Sequence, residues 1–228
     1  DNLAKKYGKS GLFTGYSGCP PILNVYPLRP DQKERNCYQL NKLISQIVNE
    51  NEIKNIILIS RWTYYTDEND FDSNLNFLGL KPRRSSNKAL SREAFTQGLA
   101  DTLKNYEQQG KNVFIVEQVP NQVIDPKQIY YRSFDNNLIK FKNNIIHYSL
   151  NLKQHYKHQS FVKKVFNKFD ISYNNLTLIN LDNIFCSKSK QKCLIGNEKY
   201  SFYIDRNHLS KDGASLTRNK FIKMIEKF

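Results

Sequence analysis

Short apolar runs alternate with longer amphipathic stretches along the chain. Ile56-Ile57-Leu58-Ile59 within Asn55–Ser60 is a continuous apolar run, predicting a strand covered on both faces. Val113-Phe114-Ile115-Val116 repeats the pattern and ends at Gln118-Val119-Pro120, and Leu176–Asn180 predicts a third such strand. Between them the spacing becomes helical. Arg35–Glu50 carries Tyr38, Leu40, Leu43, Ile44, Ile47 and Val48 on one side. Arg92–Gln109 is predicted as a helix that begins after Ser91, with Glu93 and Gly110 as start and stop signals. A lysine- and aromatic-rich segment over 135–169 predicts mostly helix, and Leu216–Lys227 a closing one. At the front, Asp1–Gly8 reads as helix, Gly11–Tyr16 as a short strand and Ser17-Gly18-Cys19-Pro20-Pro21 as a turn. Residues 66–88 are polar and predict a loop or insertion.

Strands that alternate with helices of this length give an α/β domain with a parallel sheet and helices on both faces. A chain of 228 residues suits one such domain over its whole length, 1–228. Chemistry in these sheets gathers at the carboxyl ends of strands. The candidates there are Tyr16-Ser17-Gly18, Ser60-Arg61-Trp62 and Glu117-Gln118.

Composition narrows the classes. Apolar residues make up 39% and charged residues 25%, as in a globular protein rather than a disordered one. No apolar run approaches the roughly eighteen residues of a membrane span. Thirty-five Lys and Arg against 21 Asp and Glu leave a net charge of +14. That field attracts polyanions such as anionic lipid, acidic polysaccharide or nucleic acid. The lysines are scattered, however, and a solvated surface is the plainer reading. The four cysteines allow three pairings. Local bonds Cys19–Cys37 and Cys186–Cys193 fit best and imply an oxidising compartment; reduced buried thiols are the alternative. His155 and His158 form an H-x-x-H with no third ligand at suitable spacing, so no metal site is expected. No phosphate-binding glycine loop or dinucleotide fingerprint is present.

The most informative segment is Tyr203-Ile204-Asp205-Arg206-Asn207-His208-Leu209-Ser210-Lys211-Asp212-Gly213-Ala214. A histidine acting as general base needs a partner on its second ring nitrogen to fix its tautomer. Asp205, three residues before His208, is placed to supply it. This is one half of a hydrolase or acyltransferase site, and the other half is a nucleophile. Ser17 follows a strand and precedes a glycine, but lacks the sharp turn that exposes a nucleophile. Trp62, the single tryptophan, is either an apolar anchor or a neighbour of the acyl group.

The block Tyr203-x-Asp205-x-x-His208-Leu209-Ser210-x-x-Gly213-Ala214 resembles the last block of SGNH hydrolases. More narrowly, the chain resembles the SGNH-hydrolase-like domains fused to acyltransferase family three membrane proteins of bacteria. Leu58-Ile59-Ser60-Arg61-Trp62, Gly110-Lys111-x-Val113 through Val119-Pro120, Cys19-Pro20-Pro21 and the Cys186/Cys193 pair carry the same resemblance.

The resemblance implies a three-layer α/β/α sandwich with a flavodoxin-like parallel sheet. It implies O-acyl transfer, chiefly of acetyl, onto a hydroxyl of a bacterial cell-surface glycan such as lipopolysaccharide or peptidoglycan. His208 is then the base, Asp205 its orienting partner, and Ser17, Gly18, Arg61 and Trp62 surround the oxyanion and substrate. The family's Gly-Asp-Ser-His block and first strand are absent from 1–228, so the serine is expected just before Asp1. No cofactor is expected. The partners implied are a membrane acyltransferase domain, N-terminal in the same polypeptide, as acyl donor, and the surface glycan as acceptor. Contact with anionic membrane is compatible with the charge, nucleic acid is not an expected partner, and the location is the periplasm or outer face of the inner membrane. Two other readings stay open: an O-acetylesterase of the same fold, and a non-catalytic basic module that binds glycan or nucleic acid.

Overall fold

The computed structural model describes residues 2–29, 36–67, 75–82, 87–131 and 137–228. The helices are α1 (Asn2–Lys6), α2 (Cys37–Glu50), α3 (Lys88–Gln108), α4 (Lys127–Tyr130), α5 (Leu138–Tyr148), α6 (Leu152–Ser172), α7 (Asp182–Phe185), α8 (Lys211–Leu216) and α9 (Arg218–Ile225). The strands are β1 (Tyr26–Pro27), β2 (Asn55–Ile59), β3 (Leu78–Gly79), β4 (Asn112–Val116), β5 (Leu150–Asn151), β6 (Leu176–Ile179), β7 (Cys186–Ser187) and β8 (Lys192–Cys193). They form two compact units. The sheet unit holds Gly11–Gln118 and His158–Ile179; the terminal unit holds Asp1–Ser10, Val119–Lys157 and Asn180–Phe228.

In the sheet unit, β2, β4 and β6 lie parallel with β4 in the middle. The register aligns Ile56, Val113 and Leu176, then Leu58, Ile115 and Leu178. Side chains two apart share a face, so these six form one apolar surface. It packs against Leu99 and Leu103 of α3, Phe166 and Phe169 of α6, and Val48 of α2. The opposite face is uneven. Phe114 and Val116 of β4 are buried, whereas Ile57 and Ile59 of β2 are 39% and 61% exposed. The expectation of two covered faces therefore holds for the central strand and not for β2. β4 has a strand on each side, while β2 pairs only with β4 among the described residues.

Other differences have local causes. Gly11–Tyr16 is not a strand: it has no ladder partner among the described residues, and Leu12 and Phe13 face solvent. Within the stretch read as polar loop, Leu78–Gly79 pairs antiparallel with β1; 68–74 and 83–86 lie outside the described residues. Helix α3 starts at Lys88, capped by the Asn87 side chain, which accepts from the Leu90 amide at 3.0 Å. Ser91 is instead buried inside that helix, donating to the Tyr65 carbonyl and accepting from the Leu78 amide. The helix expected over 135–169 is interrupted at β5, where the Leu150 amide turns away to the Gln122 side chain; part of that stretch, 132–136, lies outside the described residues. On α2, the buried positions are Cys37, Asn41, Ser45 and Val48, and Leu43 points to water.

The terminal unit contains the antiparallel sheet β5-β8-β7 and both chain ends. Tyr7 donates to Glu226 at 3.4 Å and Lys9 to the Phe228 carbonyl at 3.1 Å, joining the residues after α1 to the tail. Two disulfides are formed, Cys19–Cys37 in the sheet unit and Cys186–Cys193 in the terminal unit. No described helix is long and apolar enough to cross a membrane.

Candidate active site

Residues 203–210 fold back as a clamped turn. Tyr203 and Leu209 form an antiparallel bridge, the Ile204 amide donates to the His208 carbonyl at 2.9 Å, and the Ser210 amide donates to the Phe202 carbonyl at 2.9 Å. Asp205 shapes what lies between. Its Oδ1 accepts the amides of Asn207 and His208, each at 2.8 Å, while Oδ2 takes Nδ1 of His208 at 2.7 Å. One short carboxylate thus holds the backbone with one oxygen and the ring with the other. Partial burial works to raise the Asp205 carboxyl, but the two amides and the imidazole outweigh it and hold the group below its ordinary value. Nδ1–H donating to the carboxylate leaves Nε2 of His208 with its lone pair. Nε2 has no partner among the described residues, and the His208 side chain is 71% exposed. The ring is oriented from one side and open on the other.

The turn is braced by its neighbours. Ser210 donates to the Ser201 carbonyl at 2.7 Å and caps α8 by accepting the Gly213 amide at 3.0 Å. A Cβ on Gly213 would stand 2.0 Å from the Phe202 carbonyl oxygen, so only glycine permits this approach. The closing helix consequently starts at Lys211, earlier than expected, and divides at Thr217 into α8 and α9. Gln122 was not legible from the sequence. It is fully buried, its amide donating to the Arg206 carbonyl at 2.7 Å, its Nε2 to the Cys193 carbonyl at 3.2 Å, and its Oε1 accepting the Leu150 amide at 3.1 Å. Gln122 so ties the Asp–His turn, through its backbone amide, to β5 and β8, through its side chain. Burial, and then the Asp182 carboxylate, push the Tyr203 phenol well above its ordinary value, so Tyr203 stays neutral in the turn.

The other candidates lie in the sheet unit. Cys19 N closes a turn onto the Tyr16 carbonyl at 3.0 Å, with Gly18 at φ 80°. That left-handed value at the third turn position is one glycine adopts freely. Four restraints fix the segment: the disulfide to Cys37, Asn41 donating to the Pro20 and Ile22 carbonyls at 2.7 and 2.8 Å, Thr102 accepting the Leu23 amide at 2.8 Å, and Asn76 donating to the Gly18 carbonyl at 2.9 Å. Asn76, fully buried, also donates its amide to the Tyr64 carbonyl at 3.0 Å. It therefore fastens the Ser17–Gly18 turn to the 3₁₀ turn Trp62–Tyr65 that follows β2. Nothing in the sequence marked it, because it sits in the polar stretch read as loop.

Arg61 lies with its guanidinium 5.1 Å from the Tyr64 ring centre. Trp62 has a different duty from the substrate contact considered for it. It is fully buried, edge-on to Phe95 and Phe166, and its Nε1 donates to the Val116 carbonyl at 2.8 Å. With its single donor engaged and its faces packed in the core, it is an anchor and not an oxyanion donor. Glu117 and Gln118 are likewise structural: Glu117 pairs with Lys163, and the Gln118 side chain accepts from the Thr63 amide and hydroxyl at 2.9 and 3.0 Å. The structure thus brings Asp205 to His208 in the terminal unit, and Ser17–Gly18 to the residues after Arg61 in the sheet unit.

A family profile described as SGNH domain (fused to AT3 domains) matches residues 1–223. The chain belongs to this family. No curated protein and no solved structure gives a significant match. The SGNH match runs across both compact units, and it covers the Asp205–His208 turn, the Gly18 turn and the Arg61 strand end together. Acyl-transfer or esterase-type chemistry is what an SGNH domain of this class brings.

Proposed function

We propose that this SGNH domain is an O-acyltransferase whose general base is His208, held by Asp205, and whose nucleophile is a serine preceding Asp1. The supporting observation is the Asp205–His208 contact through Nδ1 at 2.7 Å with Nε2 turned to solvent. In the proposed cycle Nε2 takes the serine proton as the hydroxyl oxygen attacks the acyl carbonyl, and Asp205 steadies the imidazolium. His208 returns the proton to the leaving group. The acceptor hydroxyl then repeats the sequence on the acyl-enzyme. Backbone amides beside the serine are the proposed stabilisers of the tetrahedral oxyanion. Helix α1, which the serine would precede, belongs to the same compact unit as His208, in keeping with this arrangement.

The fold that accompanies the reading is the three-layer sandwich of one SGNH domain over 1–228, with the serine-bearing strand as a further member of the parallel sheet. The acyl group is proposed to be acetyl, delivered by a membrane acyltransferase domain of the same polypeptide, and the acceptor a bacterial cell-surface glycan. Two disulfides and the fusion class support an extracytoplasmic place, and the net charge of +14 supports contact with an anionic lipid or glycan surface.

The test is acyl transfer by the intact protein from an activated acetyl ester to glycan, with acetate release measured alongside. His208→Ala is expected to lower kcat by about 10⁴- to 10⁶-fold with thermal stability unchanged. Retained turnover would overturn the assignment. Acetate release unaffected by glycan would instead favour the esterase, in which water replaces the acceptor hydroxyl.

A further inference from the structure

The terminal unit holds a second histidine–aspartate pair that the proposed reaction does not use. His155 of α6 is fully buried, and its Nε2 meets Oδ1 of Asp182, at the start of α7, at 2.9 Å. In the sequence it stands in an H-x-x-H with His158 that has no third ligand at suitable spacing. Its other nitrogen, Nδ1, is buried without a hydrogen-bond partner. A buried polar atom left unpaired is uncommon and disfavoured, because nothing replaces its lost hydration. With Nε2–H donating to the carboxylate, Nδ1 carries a bare lone pair.

What lies near that ring is sulfur. A ring nitrogen of His155 and the Sγ atoms of Cys186 and Cys193 all lie within 4.8 Å of one another. The two cysteines face each other directly across β7 and β8 and are joined as a disulfide. Cys193 is buried and Cys186 only half-buried. The turn between them, Lys188–Lys190, is exposed, so a reductant has access from that side.

We propose that reducing the Cys186–Cys193 bond converts this cluster into a buried metal site, taking Zn²⁺ or a cation of similar softness on His155 and the two thiolates. A phosphine reductant breaks the S–S bond by a two-electron step, ending as phosphine oxide with oxygen from water and leaving two thiols. The cation then displaces one proton from each thiol. Two thiolates and an imidazole are a donor set that suits zinc, at about 2.3 Å for sulfur and 2.0–2.1 Å for nitrogen. In a tetrahedron those bonds place ligand atoms about 3.4–3.8 Å apart. The cluster spans no more than 4.8 Å, so a cation would need the two sulfurs to part and the ring and sulfurs to close by up to about 1 Å. Asp182 is then the outer partner that fixes the ring and raises its basicity, the usual companion of a metal-bound histidine. The fourth position is open to water or a small thiol. While the disulfide is closed, both sulfurs are engaged with each other and the site has one ligand only, so oxidation state decides occupancy.

Cobalt(II) is the probe, in the intact protein carrying Cys19→Ser and Cys37→Ser so that the remaining cysteine pair alone is reported. After phosphine reduction and anaerobic removal of the reductant, the protein is expected to bind one Co²⁺ per chain. Near-ultraviolet thiolate-to-cobalt charge transfer and the intense visible bands of a tetrahedral ion should appear, and Zn²⁺ should displace both. The oxidised protein is expected to give neither. Asp182→Asn should weaken binding by about 10- to 100-fold, and His155→Ala by more. Should His155→Ala not fold by circular dichroism, Cys186→Ser reads the same site and should lose the charge-transfer band. A reduced protein that takes up no cobalt overturns the proposal. So does a folded His155→Ala or Cys186→Ser protein with parental affinity.

Discussion

The same two side-chain types meet twice in the terminal unit, and the environments give them opposite characters. Asp205 and His208 sit three residues apart on one turn, with side chains 42% and 71% exposed. Asp182 and His155 come from separate elements, with side chains 9% and 0% exposed. The exposed pair uses Nδ1 and leaves Nε2, the nitrogen farther from the backbone, free to meet a hydroxyl. The buried pair uses Nε2 and leaves Nδ1 facing protein. An aspartate–histidine contact by itself therefore says little about catalysis. Which nitrogen is held, and what the other can reach, separates a general base from a group fixed in the interior.

Asp205→Asn breaks the comparison hardest among the partner substitutions. Asparagine can still accept the Asn207 and His208 amides through its carbonyl, so the turn should persist. Its amide group, however, donates where the carboxylate accepted, which favours the wrong imidazole tautomer. The expected loss is about 10⁴-fold in kcat with little change in thermal midpoint, by analogy with the same exchange in other triads. Turnover within tenfold of the parent would mean that the exposed pair is no more functional than a surface contact.

The buried pair should respond in the other currency. His155→Ala leaves the Asp182 carboxylate in the interior without the imidazole, a change that typically destabilises by about 3–5 kcal/mol. Urea unfolding of the oxidised protein measures it. A loss below about 1 kcal/mol, the range of exposed pairs, would show that burial does not distinguish the two.

This contrast also explains what the sequence could reveal. The parallel strands were readable because β2, β4 and β6 are short uninterrupted apolar runs, and the Asp–His turn because its spacing and the following Ser210 and Gly213 lie within one stretch. Local causes leave local marks. Gln122, Asn76 and Asp182 act through contacts with residues distant along the chain, and a polar residue bound for the interior looks no different from one bound for the surface. Gly11–Tyr16 misled for the converse reason: its composition suits a strand, but a strand requires a partner, which composition does not report. Trp62 was ambiguous until its indole N–H was seen to donate to Val116. The H-x-x-H of His155 lacks a third ligand at suitable spacing, and the sulfurs that lie beside it in the fold come from far down the chain.

The smallest expected effect concerns pH and sharpens the comparison from the exposed side. Asp205 is held below its ordinary pKa by two amides and the His208 ring against the opposing effect of partial burial. A carboxyl whose folded pKa lies below its unfolded one binds fewer protons in the folded state. Its stabilisation is present in full above the unfolded value of about 4 and disappears as pH falls through the folded value. The wild type should therefore exceed Asp205→Asn in urea midpoint by a constant margin from pH 7 to about pH 4, and the margin should close on further acidification. With the pair this open to solvent, the margin should be no more than about 1 kcal/mol. A difference that widens in acid, or that stays level down to pH 2, would mean the carboxylate is not held by the contacts that orient His208.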